Sequence, residues 1–213
     1  LTRHEFLAQL HELLRPATYL EVGVQAGGSL ALAAYSQLAI GVDPYPLINQ
    51  SGNQQIYPVF SREFFGAKPD LPPVDLAFID GSHLFEDALW DFAHIEKYLH
   101  AKSVVVFDDI LPYNEAIANR EQPPGDWTGD VWKCTHALLK HRPDLTVFEV
   151  NTLYTGSLLV YGFGNGSFFR SEVEKIITEY INITGVPPTV LDRTYALTPE
   201  DAIKELTNWQ RSL

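Results

Sequence analysis

The chain has 213 residues, 46% of them hydrophobic and 20% charged, a composition that suits one folded domain and argues against a disordered segment. A formal net charge of −12 argues against a surface that tracks nucleic-acid phosphates. The single cysteine, Cys134, excludes an internal disulfide, and no apolar run reaches the roughly 18 residues of a membrane span.

No signal-peptide pattern opens the sequence, and the expectation is a cytoplasmic protein with neither nucleic acid nor membrane as partner. Phe6, Leu7, Leu10, Leu13 and Leu14 fall at helical spacing, and Pro16 closes that helix. Thr18 to Val22 reads as a strand running into a glycine turn. "SLALAAYSQL" reads as a helix with Ser29 as its N-cap. "AIGVD" is a second strand ending at Asp43, followed by a loop from Pro44 to Gln55. "QIYPVF" is a weaker third strand, and "SREFF" a short helix.

"VDLAFID" is the next strand. "LFEDALWDFAHIEKYL" reads as one helix with Phe85, Leu89, Phe92, Ile95 and Leu99 on a face. "SVVVFDD" is apolar enough to be covered on both sides. Leu111 to Gly129 is irregular, and "DVWKCTHALLKH" is helical. "LTVFEV" and "GSLLVYGF" are expected as antiparallel neighbours, and two helices follow near Ser167–Ile181 and Pro199–Gln210. This alternation predicts an α/β fold, a doubly wound and mostly parallel sheet with helices on both sides. The expected organisation is a single domain over 1–213, with a core at about 17–163 and a C-terminal helical extension at about 164–213.

The glycine turn "EVGVQAGGS" stands where a helix N-terminus can receive a ligand. A dinucleotide fingerprint needs glycine at its third position, and here that position is Gln25. What remains is Glu21, Gly23 and Gly27, with Asp43 closing the second strand 20 residues beyond Gly23. Asp43 is placed to hold both hydroxyls of a ribose. A ligand with a ribose and no pyrophosphate fits, such as S-adenosyl-L-methionine (SAM), whose ammonium end Glu21 would help organise. Glu21, Gly23, Gln25, Gly27 and Asp43 are the candidate cofactor-binding residues.

"LEVGVQAGGSL", "GVDPY", "DLAFIDGSHLFEDALWDF" and "SVVVFDDI" resemble the successive motifs of class I SAM-dependent methyltransferases. The branch they most resemble contains sugar and macrolide O-methyltransferases, and the resemblance covers roughly Thr18 to Phe163. It implies a Rossmann-like, seven-stranded sheet with an antiparallel last strand, and O-methylation of a small-molecule acceptor such as a sugar or polyketide. It also places Ser61 against the adenine and Asp80 beside the cofactor.

Asp80 and the pair Asp108 and Asp109 end two strands one βα unit apart, so they can meet in space. Three carboxylates suit a hard divalent ion, Mg²⁺ above all, which would bind two acceptor hydroxyls and acidify one. In the resembled enzymes the matching aspartates are metal ligands, which makes Asp80, Asp108 and Asp109 the candidate metal set. Several metal-dependent members carry a further Asp where this chain has Ser82. His83 follows it, and imidazole is the side chain whose ordinary titration range suits a base near neutral pH. His83 and Asp80 are therefore the candidate catalytic residues. The remaining readings are a metal-independent methyltransferase, a SAM- or S-adenosylhomocysteine (SAH)-binding module without turnover, and a nucleotide-sugar or nicotinamide-binding domain. Trp127 is a lid candidate, whereas Trp132 and Cys134 are expected in the core. The apolar C-terminal segments are compatible with a homodimer.

Overall fold

The computed structural model describes residues 1–164 and 169–213, so the expected helix start at Ser167 lies outside the described residues. The elements are α1 (Arg3–Leu14), β1 (Thr18–Val22), β2 (Leu38–Val42), β3 (Gln54–Tyr57), α2 (Ser61–Gly66), β4 (Val74–Ile79) and α3 (Phe85–Ile95). The second half holds β5 (Leu99–Asp108), α4 (Lys133–His141), β6 (Thr146–Val150), β7 (Ser157–Tyr161), α5 (Phe169–Tyr180), α6 (Pro188–Leu191) and α7 (Pro199–Arg211).

The seven strands form one sheet in the order β3-β2-β1-β4-β5-β7-β6. Strands β1 to β5 pair in parallel, and β7 runs antiparallel to both β5 and β6. The doubly wound α/β class expected from the alternation of elements is the observed one, as is the Rossmann-like, seven-stranded form with an antiparallel last strand that the resemblance implies. Strand order reverses between β1 and β4, and in such sheets the crevice outside the carboxyl ends at that point is where ligands bind.

Alternate side chains of each strand feed two apolar cores, as a pleated sheet covered on both faces requires. Leu20, Val22, Ala77 and Val105 join Phe85, Leu89 and Phe92 of α3 and Phe169, Val173 and Ile176 of α5 on one side. Tyr19, Leu76, Phe78 and Val106 join Phe6, Leu7 and Leu10 of α1 and Ala202 and Leu206 of α7 on the other. Trp132 and Cys134 are buried in the first core, as expected.

Three local readings need correction. The helix expected at "SLALAAYSQL" is only a 3-10 turn over Leu30–Ala33. Asn53 Nδ2 donates to the carbonyls of Ala33 and Ser36 at 2.8 and 2.7 Å, which stops further helical pairing there. Ser29 makes no cap hydrogen bond: its backbone is already helical, with φ −73 and ψ −42, and its hydroxyl donates to Glu21. The helix after β4 ends at Ile95, passes through a 3-10 turn at Glu96–Tyr98 and delivers Leu99 to β5 rather than to the helix face. His100 lies on β5 and meets Asp75 at 2.9 Å. Among the described residues no helix is long and apolar enough to cross a membrane.

Phe92 is fully buried, with ring centroids 5.6 Å from Phe107 and 5.7 Å from Phe169, so it joins α3, β5 and α5. Phe92→Ala is expected to lower stability by about 3–5 kcal/mol in urea denaturation.

Candidate active site at the carboxyl ends of the strands

The turn after β1 is shaped by close backbone approach. Gly23 has φ +93, and a Cβ there would stand 1.8 Å from the carbonyl oxygen of Asp80, so only glycine lets the β1 and β4 ends lie this near. Gln25 adopts φ 44, which turns the chain across the top of the sheet. Asp43, at the end of β2, ties this turn down. Its Oδ2 accepts from the amides of Val24 at 2.9 Å and Gln25 at 2.8 Å, and its Oδ1 accepts from the Tyr45 amide at 2.7 Å. A carboxylate offers about four acceptor directions, so about one remains for a ribose hydroxyl. Asp43 thus builds the turn as well as facing the cleft.

The cleft holds about 380 Å³ and is lined by Arg3 and His4 of α1, Gly23 and Gln25 of the turn, and Asp43, Asp80 and His83. That volume lies in the range of small-molecule sites. A larger hollow of about 650 Å³ lies between α1 and the Leu32–Ser36 segment, but no strand end reaches it.

Not every expected residue reaches the cleft. Glu21 is fully buried beneath it, accepting from Tyr19 Oη at 2.6 Å and Ser29 Oγ at 2.8 Å. Burial pushes its carboxyl up to about 7, against the pull of those two donors. Gly27, with φ +73, packs on Ile48. Ser61 bonds the carboxylate of Asp91, which is buried on α3 and pushed up to about 7 by burial. The Oδ1 of Asp91 has no hydrogen-bond partner among the described residues.

The expected gathering of strand-end carboxylates is present, and it contains a cation that the motifs did not predict. Nη1 of Arg3 lies 3.2 Å from Asp80 Oδ2 and forms a short ion pair with Asp108 Oδ2. Burial alone would make Arg3 less basic, but Asp80, Asp108 and Asp109 together hold it above its usual value. Asp80 is raised well above the ordinary carboxylate range, first by burial and then by Asp108. Asp109 is raised to about 6 by burial and by Asp108. Asp108 Oδ1 is buried without a hydrogen-bond partner among the described residues. The donor atoms that come within 4.8 Å of one another belong to Asp80, His83 and Asp109, a different set from the Asp80, Asp108 and Asp109 expected for a metal.

His83 is fixed in an unusual pose. Its φ is +57, a conformation a side-chain-bearing residue adopts at a cost. Gly129 presses on it from the 111–129 loop, where a Cβ would fall 1.7 Å from the His83 carbonyl oxygen. Nδ1 lies 2.7 Å from the Trp127 carbonyl and 3.1 Å from Asp109 Oδ2. A carbonyl only accepts, so Nδ1 carries the hydrogen and the neutral ring keeps its lone pair on Nε2. Nε2 stands 3.7 Å from Asp80 Oδ1. The indole of Trp127 stacks on the imidazole at 5.0 Å between centroids. Trp127 therefore supports the candidate base directly, through both its ring and its carbonyl.

Arg3 and Asp91 are charged residues in and beside the site that the sequence reading did not single out. Both carried a signal: Arg3 shares its helical face with Phe6, Leu7 and Leu10, and Asp91 sits beside the buried Ala88, Phe92 and Ile95. A charge on the apolar face of a helix needs a partner somewhere in the fold.

Residues 20–110 match a family described as a methyltransferase domain. An uncharacterized protein of Acanthamoeba polyphaga mimivirus is 29% identical over 116 residues, 45% of this chain and 52% of that protein, so the match spans about half the length of this curated relative. An O-methyltransferase from Bacillus cereus, solved with SAH, superposes with a TM-score of 0.59 at 15% identity, covering 76% of this chain and 80% of that one. The O-methyltransferase TomG from Streptomyces achromogenes, involved in tomaymycin synthesis and solved with SAM, gives 0.58 at 18% identity over 76% and 80% of the two chains. At such identities the likeness is one of fold.

The buried Glu21 carboxyl has a consequence for pH dependence. From its ordinary 4.5 up to about 7 the folded chain keeps a proton that the unfolded chain has released, so stability falls as pH rises through this window and is level above it. The loss is roughly 3 kcal/mol. Urea denaturation from pH 4.5 to 8 is expected to show a decline that is smaller by roughly 3 kcal/mol in Glu21→Gln than in the parent chain, the remainder belonging to Asp91 and Asp109, which are raised in the same sense.

Proposed function

We propose that the chain is a SAM-dependent methyltransferase that methylates a hydroxyl of a small-molecule acceptor, a reading supported by the match of residues 20–110 to a methyltransferase domain family and by the doubly wound sheet. The observation that carries this reading is the pose of His83, with Nδ1 tied to a backbone carbonyl and Nε2 left as the proton-accepting nitrogen beside the cleft.

The residues present suit SAM. The close approach at Gly23 keeps a backbone-walled cradle at the β1–β4 crevice, and Asp43 keeps an acceptor direction for a ribose hydroxyl. Bound SAM supplies a methyl group made electrophilic by its sulfonium. His83 Nε2 would take the proton of the acceptor hydroxyl as the methyl passes to that oxygen and the methyl–sulfur bond breaks, with SAH as the leaving group. Asp109, facing Nδ1, stabilises the imidazolium that results. The rest of the rate gain comes from holding oxygen and methyl in line within a cleft of limited volume.

A divalent ion suits these residues less well. Asp80 and Asp108, two of the three expected donors, already hold Arg3, and the alternative set uses His83, whose free nitrogen the base role needs. No step here is routed through a metal. The acceptor required is a small molecule with an accessible hydroxyl, of the sugar or polyketide kind.

Calorimetric titration with SAM and SAH tests the reading. Both are expected to bind, and Asp43→Ala is expected to weaken both, since it removes a ribose acceptor and loosens the turn. His83→Gln should bind SAH within about twofold of the parent chain yet lose roughly 10²–10⁴-fold in methyl transfer across an acceptor panel. Absence of SAH binding by the parent chain would overturn the proposal.

A further inference from the structure

Arg3 stands between two carboxylates that the motifs assign to a metal, and α1 is built to hold it there. Thr2 and Glu5 form a reciprocal capping box, with the Thr2 amide 2.7 Å from Glu5 Oε2 and the Glu5 amide 3.2 Å from Thr2 Oγ1. The amide of Leu153 donates to the Leu1 carbonyl at 2.8 Å, so the chain before α1 is joined to the loop between β6 and β7. That loop also supplies Thr155, whose side chain bonds Asp109 and whose carbonyl accepts from the Leu111 amide. One turn beyond Arg3, Phe6 and Leu7 are buried in the core that α1 shares with α7. The guanidinium is thus positioned from both ends of its helical turn.

We infer that Arg3 is a built-in cation that takes the place of a divalent metal between Asp80 and Asp108. The inference deepens the methyltransferase reading and, where it concerns activity, rests on it. An ion bridging Asp80 Oδ2 and Asp108 Oδ2 would compete with Arg3 Nη1 for the space between them, because Nη1 contacts both oxygens. Guanidinium and metal exclude each other at this corner. Arg3 supplies what an ion would supply to the protein, a fixed positive charge that lets buried carboxylates face one another. It offers no open coordination position for acceptor oxygens, and that leaves proton removal to His83. Arg3 is accordingly a positioning residue, one that sets the metal requirement of the site.

The exclusion predicts that removing the guanidinium creates a metal site. Mn²⁺ titration followed by electron paramagnetic resonance reads this without acceptor or turnover. The parent chain and Arg3→Lys, which keeps a cation, are expected to show no stoichiometric Mn²⁺ site. Arg3→Met, which keeps the aliphatic length, is expected to bind one Mn²⁺ at least about tenfold more tightly, and Arg3→Met with Asp108→Asn to lose it. Stoichiometric Mn²⁺ in the parent chain that disappears in Asp108→Asn, a residue outside the Asp80, His83 and Asp109 set, would overturn the inference, as would an Arg3→Met chain that binds no more tightly than the parent. If Arg3→Met fails to fold, the parent chain and its Asp108→Asn variant still decide the matter. SAH titration of the same samples separates the two levels: the expected Mn²⁺ pattern without SAH binding leaves the ion exclusion standing and removes the methyltransferase reading. Methyl transfer by the parent chain is expected to be indifferent to EDTA.

Discussion

One guanidinium among three buried carboxylates governs the carboxyl end of the sheet. Buried like charges repel strongly, and an ion pair with one partner removed costs several kcal/mol. Asp80, Asp108 and Asp109 tolerate one another because Arg3 faces the first two and His83 the third, and because Asp80 and Asp109 keep their protons more readily than ordinary carboxylates do. Such a cation lowers the cost of ending both β4 and β5 in carboxylates so close together.

That requirement reaches into the rest of the chain. Arg3 can be in place only if α1 lies across the strand ends, and α1 lies there because its apolar face packs against the sheet and α7. The terminal helices, which carry no motif of their own, therefore contribute to the site at second hand: α7 holds α1, and α1 holds the cation. The loop at 111–129 covers the other side. It is fastened by Arg120, which bonds Glu86 at 2.9 Å and Asp130 at 2.7 Å, and by the Asp130 carboxylate, which accepts from the Phe85 amide at the start of α3. Glu86, which the helix dipole alone would explain, has a tertiary partner as well.

Most of the fold was legible, because apolar runs bounded by glycine, proline and carboxylates mark buried strands, and β1, β2, β4, β5, β6 and β7 have such bounds. What was illegible depended on tertiary partners. The 3-10 turn at Leu30–Ala33 is set by Asn53, which lies 20 residues beyond Ala33. The end of α3 depends on where β5 must begin to meet β4. In the site, Asp80, His83 and Asp109 were legible from motif and position, and the structure brings them together. Glu21 and Ser61 are present, but each is committed to a neighbour: Glu21 to Tyr19 and Ser29, Ser61 to Asp91. Arg3 was hidden because its partners lie more than 70 residues away in sequence, and pairing over that span leaves no periodic trace.

The attachment of His83 divides labour between main chain and side chain. Its tautomer is fixed by a peptide carbonyl, at Trp127, and its backbone pose by the bare Cα of Gly129. Neither contact depends on which side chain residue 127 carries. The indole adds a stacking surface, yet the hydrogen bond that directs the proton would survive its replacement. The ring that stacks on His83 is thereby uncoupled from the contacts that fix the imidazole, and the side chains of this loop can be exchanged while the tautomer stays the same.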